Sequence, residues 1–420
     1  MSWCLASSNA LDGSSGTIWF RGAVETQSSK KGLALIGDVH VEALDVTASK
    51  AGLKLRVKGK GGDGLVQIGA VTLTGSSVAL LGRMVDFTGP ITVDGSMAAL
   101  SAHDLLGAVI QVRSDGGDDQ SSMTLQFRDA IDTSIETDFG ISKIKADRFV
   151  NSDPADAIAA AWIGSLAIRN EATMGLDLIN PNPGRPALGS VKAGRIGGGS
   201  WQVAGDTGSI SAGEFAGGFT GLFGGSVKSL KISGDAGDVA LNARRIVSFR
   251  VGSDLVRSRI TLSAPFDPDN PGAVTMNHFK VAGHVDDVVV RSAGSLGTIQ
   301  VGTLNDVTFF AGITDAVADD LLPSDADNDF DALAHIRRVK VTGLRDEPVW
   351  IHDARFGASN IGGVTAGYAS GTSGGPHGFA AVTFGTLSYR DDQQRISLRG
   401  TALNEAGDIP FGDDLIVRVL

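Results

Sequence analysis

The sequence predicts an all-β fold, a right-handed parallel β-helix (β-solenoid). Three observations predict it: a strand, turn, strand unit recurs at nearly constant spacing, 57 Gly stand against 12 Pro in 420 residues, and short runs throughout alternate aliphatic with polar side chains. Glycine this dense would weaken helices wherever it fell inside them. A solenoid grows by adding turns to one continuous core, so a chain of this length does not have to divide into compact globules.

The repeat is clearest between Leu230 and Gly312. Leu230-Lys-Ile232-Ser-Gly234 leads to Asp238-Val239-Ala-Leu241, and Phe279-Lys-Val281-Ala-Gly283 leads by the same step to Asp287-Val288-Val-Val290. A third copy runs from Ile299-Gln-Val301-Gly302 to Asp306-Val307-Thr-Phe309 with one residue fewer. The unit returns every 19 or 20 residues where no insertion intervenes, so an uninterrupted chain would make about 20 turns. Asp238, Asp287 and Asp306 are read as turn residues, because Asp bonds its own backbone two residues on. The alternative, a ladder of calcium sites, lacks the Gly-Gly-x-Gly-x-Asp text that such solenoids carry.

In order, Leu33 to Leu106 is strand after short strand, with Gly69, Gly89 and Gly107 spaced 20 and 18 residues apart. Lys58 to Gly64 reads as a loop, and so does the polar run Ser114–Ser122. Ser152 to Trp162, with its polar start and Ala-rich middle, is the best helix candidate. Asn180-Pro-Asn-Pro-Gly-Arg-Pro186 is the strongest breaker, and it places two solenoid segments at residues 1–180 and 187–420. Two insertions, Pro265 to Gly272 and the Asp-rich Thr314 to Leu333, are expected to bulge from the coils. The pattern resumes at Val339-Lys-Val341 and closes on Leu415-Ile-Val-Arg-Val-Leu420.

The formal net charge of −11 argues against a protein that wraps nucleic acid, which needs a basic stripe. Cys4 is the sole cysteine, so no internal disulfide forms. The first residues lack the basic start and apolar run of a secretory signal, and no apolar stretch approaches a membrane span. Met1 is either a true start or an internal methionine of a longer reading frame.

Asp325, Asp327, Asp329 and Asp331 place carboxylates at alternate positions, a pattern that supplies oxygen ligands to calcium. Phe330 stands where a helical calcium loop has Gly and Ile336 where it has Glu, so the competing reading is a solvated acidic loop. Gly283-His284 with Asp286-Asp287 holds the pieces of a pectin hydrolase in the wrong order, and Arg257-Ser-Arg259 has the look of a lyase base. His40, His103, His278, His284, His335, His352 and His377 show no spacing suited to zinc. Trp162, Trp201 and Trp350 are expected to fill the core rather than stack on sugars.

The text from Ala354-Arg-Phe-Gly-Ala-Ser-Asn-Ile-Gly-Gly-Val-Thr365 through Gly374-Gly-Pro-His-Gly-Phe379 to Leu387-Ser-Tyr-Arg390, with the x-Val-x-Gly-x-x-x-Asp-Val beat before it, resembles very large Gly-rich solenoid repeat proteins of planctomycete-type bacteria. The resemblance covers roughly residues 190 to 420. It implies an extracellular or cell-surface protein and brings no catalytic residues. The expectation is a non-catalytic structural or adhesive segment of an exported repeat protein, meeting a cell-surface glycan or protein, with no nucleic acid and no membrane span. The alternative is a polysaccharide-active enzyme, lyase or glycoside hydrolase, on the same scaffold.

Overall fold

A computed structural model of the chain describes residues 65–113, 122–153, 156–179, 184–347, 349–367, 377–390 and 415–420, together with short segments at 3–6, 16–21, 26–29, 32–36, 39–48, 54–60, 369–370, 395–400, 403–404 and 407–411. The described elements are strands, and successive coils stack in parallel as a β-solenoid. Contacts divide the chain into two units, Met1–Asp206 and Thr207–Leu420.

In the first unit, Trp3–Ala6 and Gly16–Arg21 form an antiparallel hairpin, and Gly16–Arg21 pairs antiparallel with Val39–Ala48. From Val39–Ala48 onward the coils stack in parallel. One interior column shows why. Val71, Ile91, Ile110, Ile135, Ile158, Leu176 and Trp201 are successive register partners, each buried to 1% exposure or less. Alternate side chains of a strand point to opposite faces, so the intervening polar residues face outward.

This column corrects the helix expected over Ser152 to Trp162. Ala157–Ala160 is a strand, parallel to Ser134–Thr137 on one side and Gly175–Leu178 on the other. Burial of Ile158 between Ile135 and Leu176 outweighs the local helix preference of the alanines. Pro154 and Ala155 lie outside the described residues, as do Asn180–Pro183 of the Pro-rich stretch. The strand that follows that stretch, Leu188–Gly197, pairs in parallel with Ile163–Thr173. Lys58 to Lys60, read as loop, belong to the strand Lys54–Lys60; residues 61–64 and 114–121 are not described.

In the second unit two apolar columns run through the coils. Leu230, Phe249, Phe279, Ile299, Val339, Val364 and Leu387 form one, and Leu241, Ile260, Val290, Phe309, Phe356, Phe379 and Val417 the other. Phe249 stacks on Phe279 at 5.3 Å, and Phe309 on Phe356 at 5.3 Å and Phe356 on Phe379 at 4.8 Å. Phe279 meets Phe309 edge to face at 5.0 Å, tying the columns together. The unit ends in antiparallel hairpins, Thr383–Arg390 with Arg395–Arg399 and Gly407–Phe411 with Leu415–Val419.

Both punctuating residues of the repeat have a geometric cause. A Cβ on Gly283 would sit 2.9 Å from the Ser253 carbonyl of the coil beside it, and one on Gly302 would run into the Gly283 carbonyl. Backbones stacked this closely exclude side chains. Asp238, Asp287 and Asp306 have φ of 55°, 52° and 47°, the left-handed region that Asp enters more readily than most residues. Arg257 (φ 44°) and Asp353 (φ 50°) hold the equivalent position in their coils.

Among the described residues the turns number about 14, not 20, because the insertion at Thr314 to Leu333 and the antiparallel hairpins lie outside the coils. One insertion is built onto its unit. Ile313 bridges Phe330, and Phe310, Ile313 and Val317 form a small apolar cluster with Phe330 against it. Arg291 donates from Nε to Asp319 Oδ1 at 2.6 Å and Arg259 from a terminal nitrogen to Asp319 Oδ2 at 3.0 Å. Among the described residues no helix is long and apolar enough to cross a membrane.

Candidate functional site: the charged corners of the coils

Parallel, in-register stacking places equivalent side chains one above another at about 4.8 Å, so a charge at one position meets its counterpart in the next coil. In the first unit this brings together Asp86, Asp104, Asp129, Arg148, Glu171 and Arg195 as successive register partners. The first three are carboxylates at 7%, 7% and 8% exposure. Three stacked anions would be strongly repulsive without compensation.

Compensation comes from the residue preceding each Asp or from the coil above. His103 Nδ1 lies 2.8 Å from Asp86 Oδ1 and 3.5 Å from Asp104 Oδ2. Arg128 grips Asp104 with both ends of its guanidinium, Nε to Oδ1 at 3.0 Å and a terminal nitrogen to Oδ2 at 2.5 Å. Arg148 does the same to Asp129 at 3.1 and 3.0 Å. The hydrogen bond to Asp104 holds the Arg128 pKa above its ordinary value, and the one to Asp129 acts likewise on Arg148. Asp86, His103 and Asp104 offer three ligand atoms within 4.8 Å of one another. Two carboxylates and an imidazole are a reasonable donor set for a divalent cation, but Arg128 already occupies both oxygens of Asp104. The arrangement works as a salt-bridge ladder that closes one corner. Sequence reading missed it; the signal present was a cation beside an Asp, in His103-Asp104, Arg128-Asp129 and Asp147-Arg148.

In the second unit the left-handed column forms the corner. Arg257 donates from Nε to Asp238 Oδ1 at 2.8 Å and from a terminal nitrogen to Oδ2 at 2.9 Å. This hydrogen bond raises the Arg257 pKa and lowers that of Asp238. Arg355, at 3% exposure, donates to Asp306 Oδ1 at 3.1 Å and to the Asp353 carbonyl at 3.3 Å. His352 and His377, far apart in sequence, each bring Nδ1 to Asp353, at 3.3 and 3.9 Å.

The pectin-hydrolase pieces are held by the same coil-to-coil logic. His284 Nδ1 meets Thr303 Oγ1 at 2.8 Å, and its backbone N–H donates to Asp254 Oδ1 at 2.7 Å. Asp286 accepts a hydrogen bond from the Asn305 amide one coil on. Asp287 is the left-handed corner residue.

The four aspartates of the acidic insertion are not drawn together in this way. Asp329 Oδ2 accepts from the backbone N–H groups of Ser324 and Asp325 at 2.6 and 2.9 Å, and Asp325 Oδ1 accepts from the Asp327 N–H at 2.9 Å. Asn328 and the Asp327 N–H hold the Asp325 carboxyl below its usual range. Asp327 and Asp331 are exposed, and the Asp331 N–H donates to the Gly312 carbonyl at 2.9 Å. Trp201 fills the core, its Nε1 donating to the Met174 carbonyl at 3.1 Å. Trp162 lies half-buried under the Arg185 guanidinium, 3.8 Å from the ring centre, and Trp350 is half-buried against Gly343 and Gly367.

Comparison with protein-family models finds no match, and neither the curated proteins nor the solved structures match the chain.

Proposed function

We propose that this chain is a non-catalytic structural or adhesive segment of an exported cell-surface repeat protein. The observation that carries the reading is how the corner charges are used: Asp104, Asp129, Asp238, Asp286 and Asp306 each engage a side chain of the next coil. Groups committed to holding coils together are unsuited to exchanging protons with a substrate.

The competing enzyme reading rests on Arg257 as a lyase base. A general base works best with a pKa near the operating pH, and the Asp238 hydrogen bond moves the Arg257 pKa the other way. A glycosidase needs two carboxylates facing a bond from opposite sides, whereas Asp286 and Asp287 lie next to each other on a corner. The resemblance to large surface repeat proteins supports an extracellular setting. Calcium at Asp325, Asp327, Asp329 and Asp331 is proposed only for a rearranged insertion, because Asp325 and Asp329 here accept hydrogen bonds from backbone N–H groups of their own turn.

The test incubates the full chain with a panel of neutral and acidic polysaccharides between pH 4 and pH 9 and follows new reducing ends and unsaturated uronides. No turnover, alongside retention on a polysaccharide or a cell envelope, is expected. Turnover that disappears in Arg257→Ala would overturn the proposal.

A further inference from the structure

The second unit carries a charge asymmetry that coil stacking does not explain. Seven strands of one sheet, Thr220–Ile232, Ser248–Val251, Met276–Val281, Leu296–Val301, His335–Val341, Asn360–Gly367 and Thr383–Arg390, contain no Asp or Glu, in a chain where acids outnumber Lys and Arg 47 to 36. Their outward positions form rows. Lys231, Arg250, Lys280, Gln300 and Lys340 are successive register partners, and the four cations are exposed. A second row beside it runs Ser248, His278, Thr298, Arg338. Arg250 Nε donates to Ser248 Oγ at 3.1 Å. Among the described residues none of the four cations of the first row forms a salt bridge.

Unpaired like charges about 4.8 Å apart repel one another, and no feature of the fold requires them there. A polymer bearing negative charges at matching intervals would relieve that repulsion. We propose that this face docks a linear polyuronate, an acidic polysaccharide with one carboxylate per sugar, laid along the rows. The length of one pyranose is of the same order as the spacing between coils, so carboxylates of consecutive sugars face Lys231, Arg250 and Lys280, the next faces Gln300 and the one after it Lys340. A single-stranded nucleic acid fits less well, because base stacking needs exposed aromatic rings and the Phe and Tyr side chains on these strands (Phe223, Phe249, Phe279, Phe384, Tyr389) are buried, which leaves His278 as the one exposed ring among the described residues of the face. The inference rests on the adhesive reading above and gives it a ligand class.

The experiment titrates polygalacturonate into the full chain by calorimetry at low and at raised salt. Binding is expected, weakening as salt rises, with no release of reducing ends. The triple variant Arg250→Glu/Lys280→Glu/Lys340→Glu is expected to bind on the order of a hundredfold more weakly, through lost attraction and added repulsion. A matched reversal at the exposed Arg83, Arg113 and Lys192 of the first unit is expected to stay within about twofold. Equal urea midpoints for the face variant and the wild type show that it folds. The proposal is overturned if the wild type does not bind, if both triple variants lose affinity alike, or if oligothymidylate binds as tightly as polygalacturonate. Absence of binding without turnover removes the docking face and leaves the non-catalytic reading standing. Binding with turnover does the reverse.

Discussion

Substitutions at Asp287 separate a backbone role from a chemical one. Asp287 is exposed, with φ at 52°, and the left-handed region costs an ordinary L residue about 1–2 kcal/mol. Asp and Asn lower that cost by bonding locally, and Gly does not incur it. Because Asp already lowers that cost, Asp287→Gly removes less than about 1 kcal/mol of strain while it loosens the unfolded chain by about 0.4–1 kcal/mol. The two nearly cancel, and the variant is expected within about 0.5 kcal/mol of wild type. Asp287→Asn is expected within about 0.5 kcal/mol of wild type. Asp287→Val, β-branched and ill-suited to positive φ, is expected to lose about 2 kcal/mol. Equilibrium urea unfolding of the full chain, compared by midpoints because long repeat arrays can depart from two-state behaviour, gives the order Gly, Asp and Asn together, then Val. A Val variant as stable as wild type would refute the left-handed corner. An Asn variant falling as far as Val would show that the carboxylate charge, not the backbone, is what the position needs.

The other predictions follow from named contacts. Arg128→Ala leaves the buried Asp104 without its bidentate partner and is expected to cost about 2 kcal/mol by urea unfolding, the range for hydrogen bonds to charged groups, given that Arg128 is half exposed. Phe309→Ala removes a ring packed between Phe279 and Phe356 and is expected to cost about 3–5 kcal/mol in the same assay. Burial, reinforced by the Arg337 charge, lowers the His335 pKa below the ordinary value of an imidazole. The unfolded chain therefore binds this proton more readily, so His335 contributes stability that is fully present above about pH 6.5 and fades as pH falls. A denaturation series from pH 7.5 to pH 5 is expected to lose less stability in His335→Gln than in wild type.

Much of the fold was readable because a solenoid writes its geometry into a short period. The Gly and Asp of the repeat mark two separate constraints, close backbone approach at Gly283 and Gly302 and positive φ at Asp287 and Asp306. Both were visible as recurring letters. The strand at Ala157–Ala160 was not, because its evidence lies in Ile135 and Leu176, which only the register brings to Ile158. The corner ladder of the first unit escaped for a related reason: its members follow at uneven sequence steps from Asp104 to Asp129 to Arg148, so no fixed period marks them. The basic rows are hidden the same way, since Lys280 and Lys340 are neighbours only through Gln300. The acidic insertion was conspicuous in the text, yet its carboxylates cap their own turn.

The register of the coils supports each of these arguments, and a distance between two spin labels tests it most directly. With Cys4 replaced by Ser and labels at Lys231→Cys and Lys340→Cys, four coil steps separate sites that are remote in sequence. The stacking predicts a narrow distribution centred near 20 Å, from four steps of about 4.8 Å. A broad distribution, or one centred beyond about 30 Å, would contradict in-register parallel coils.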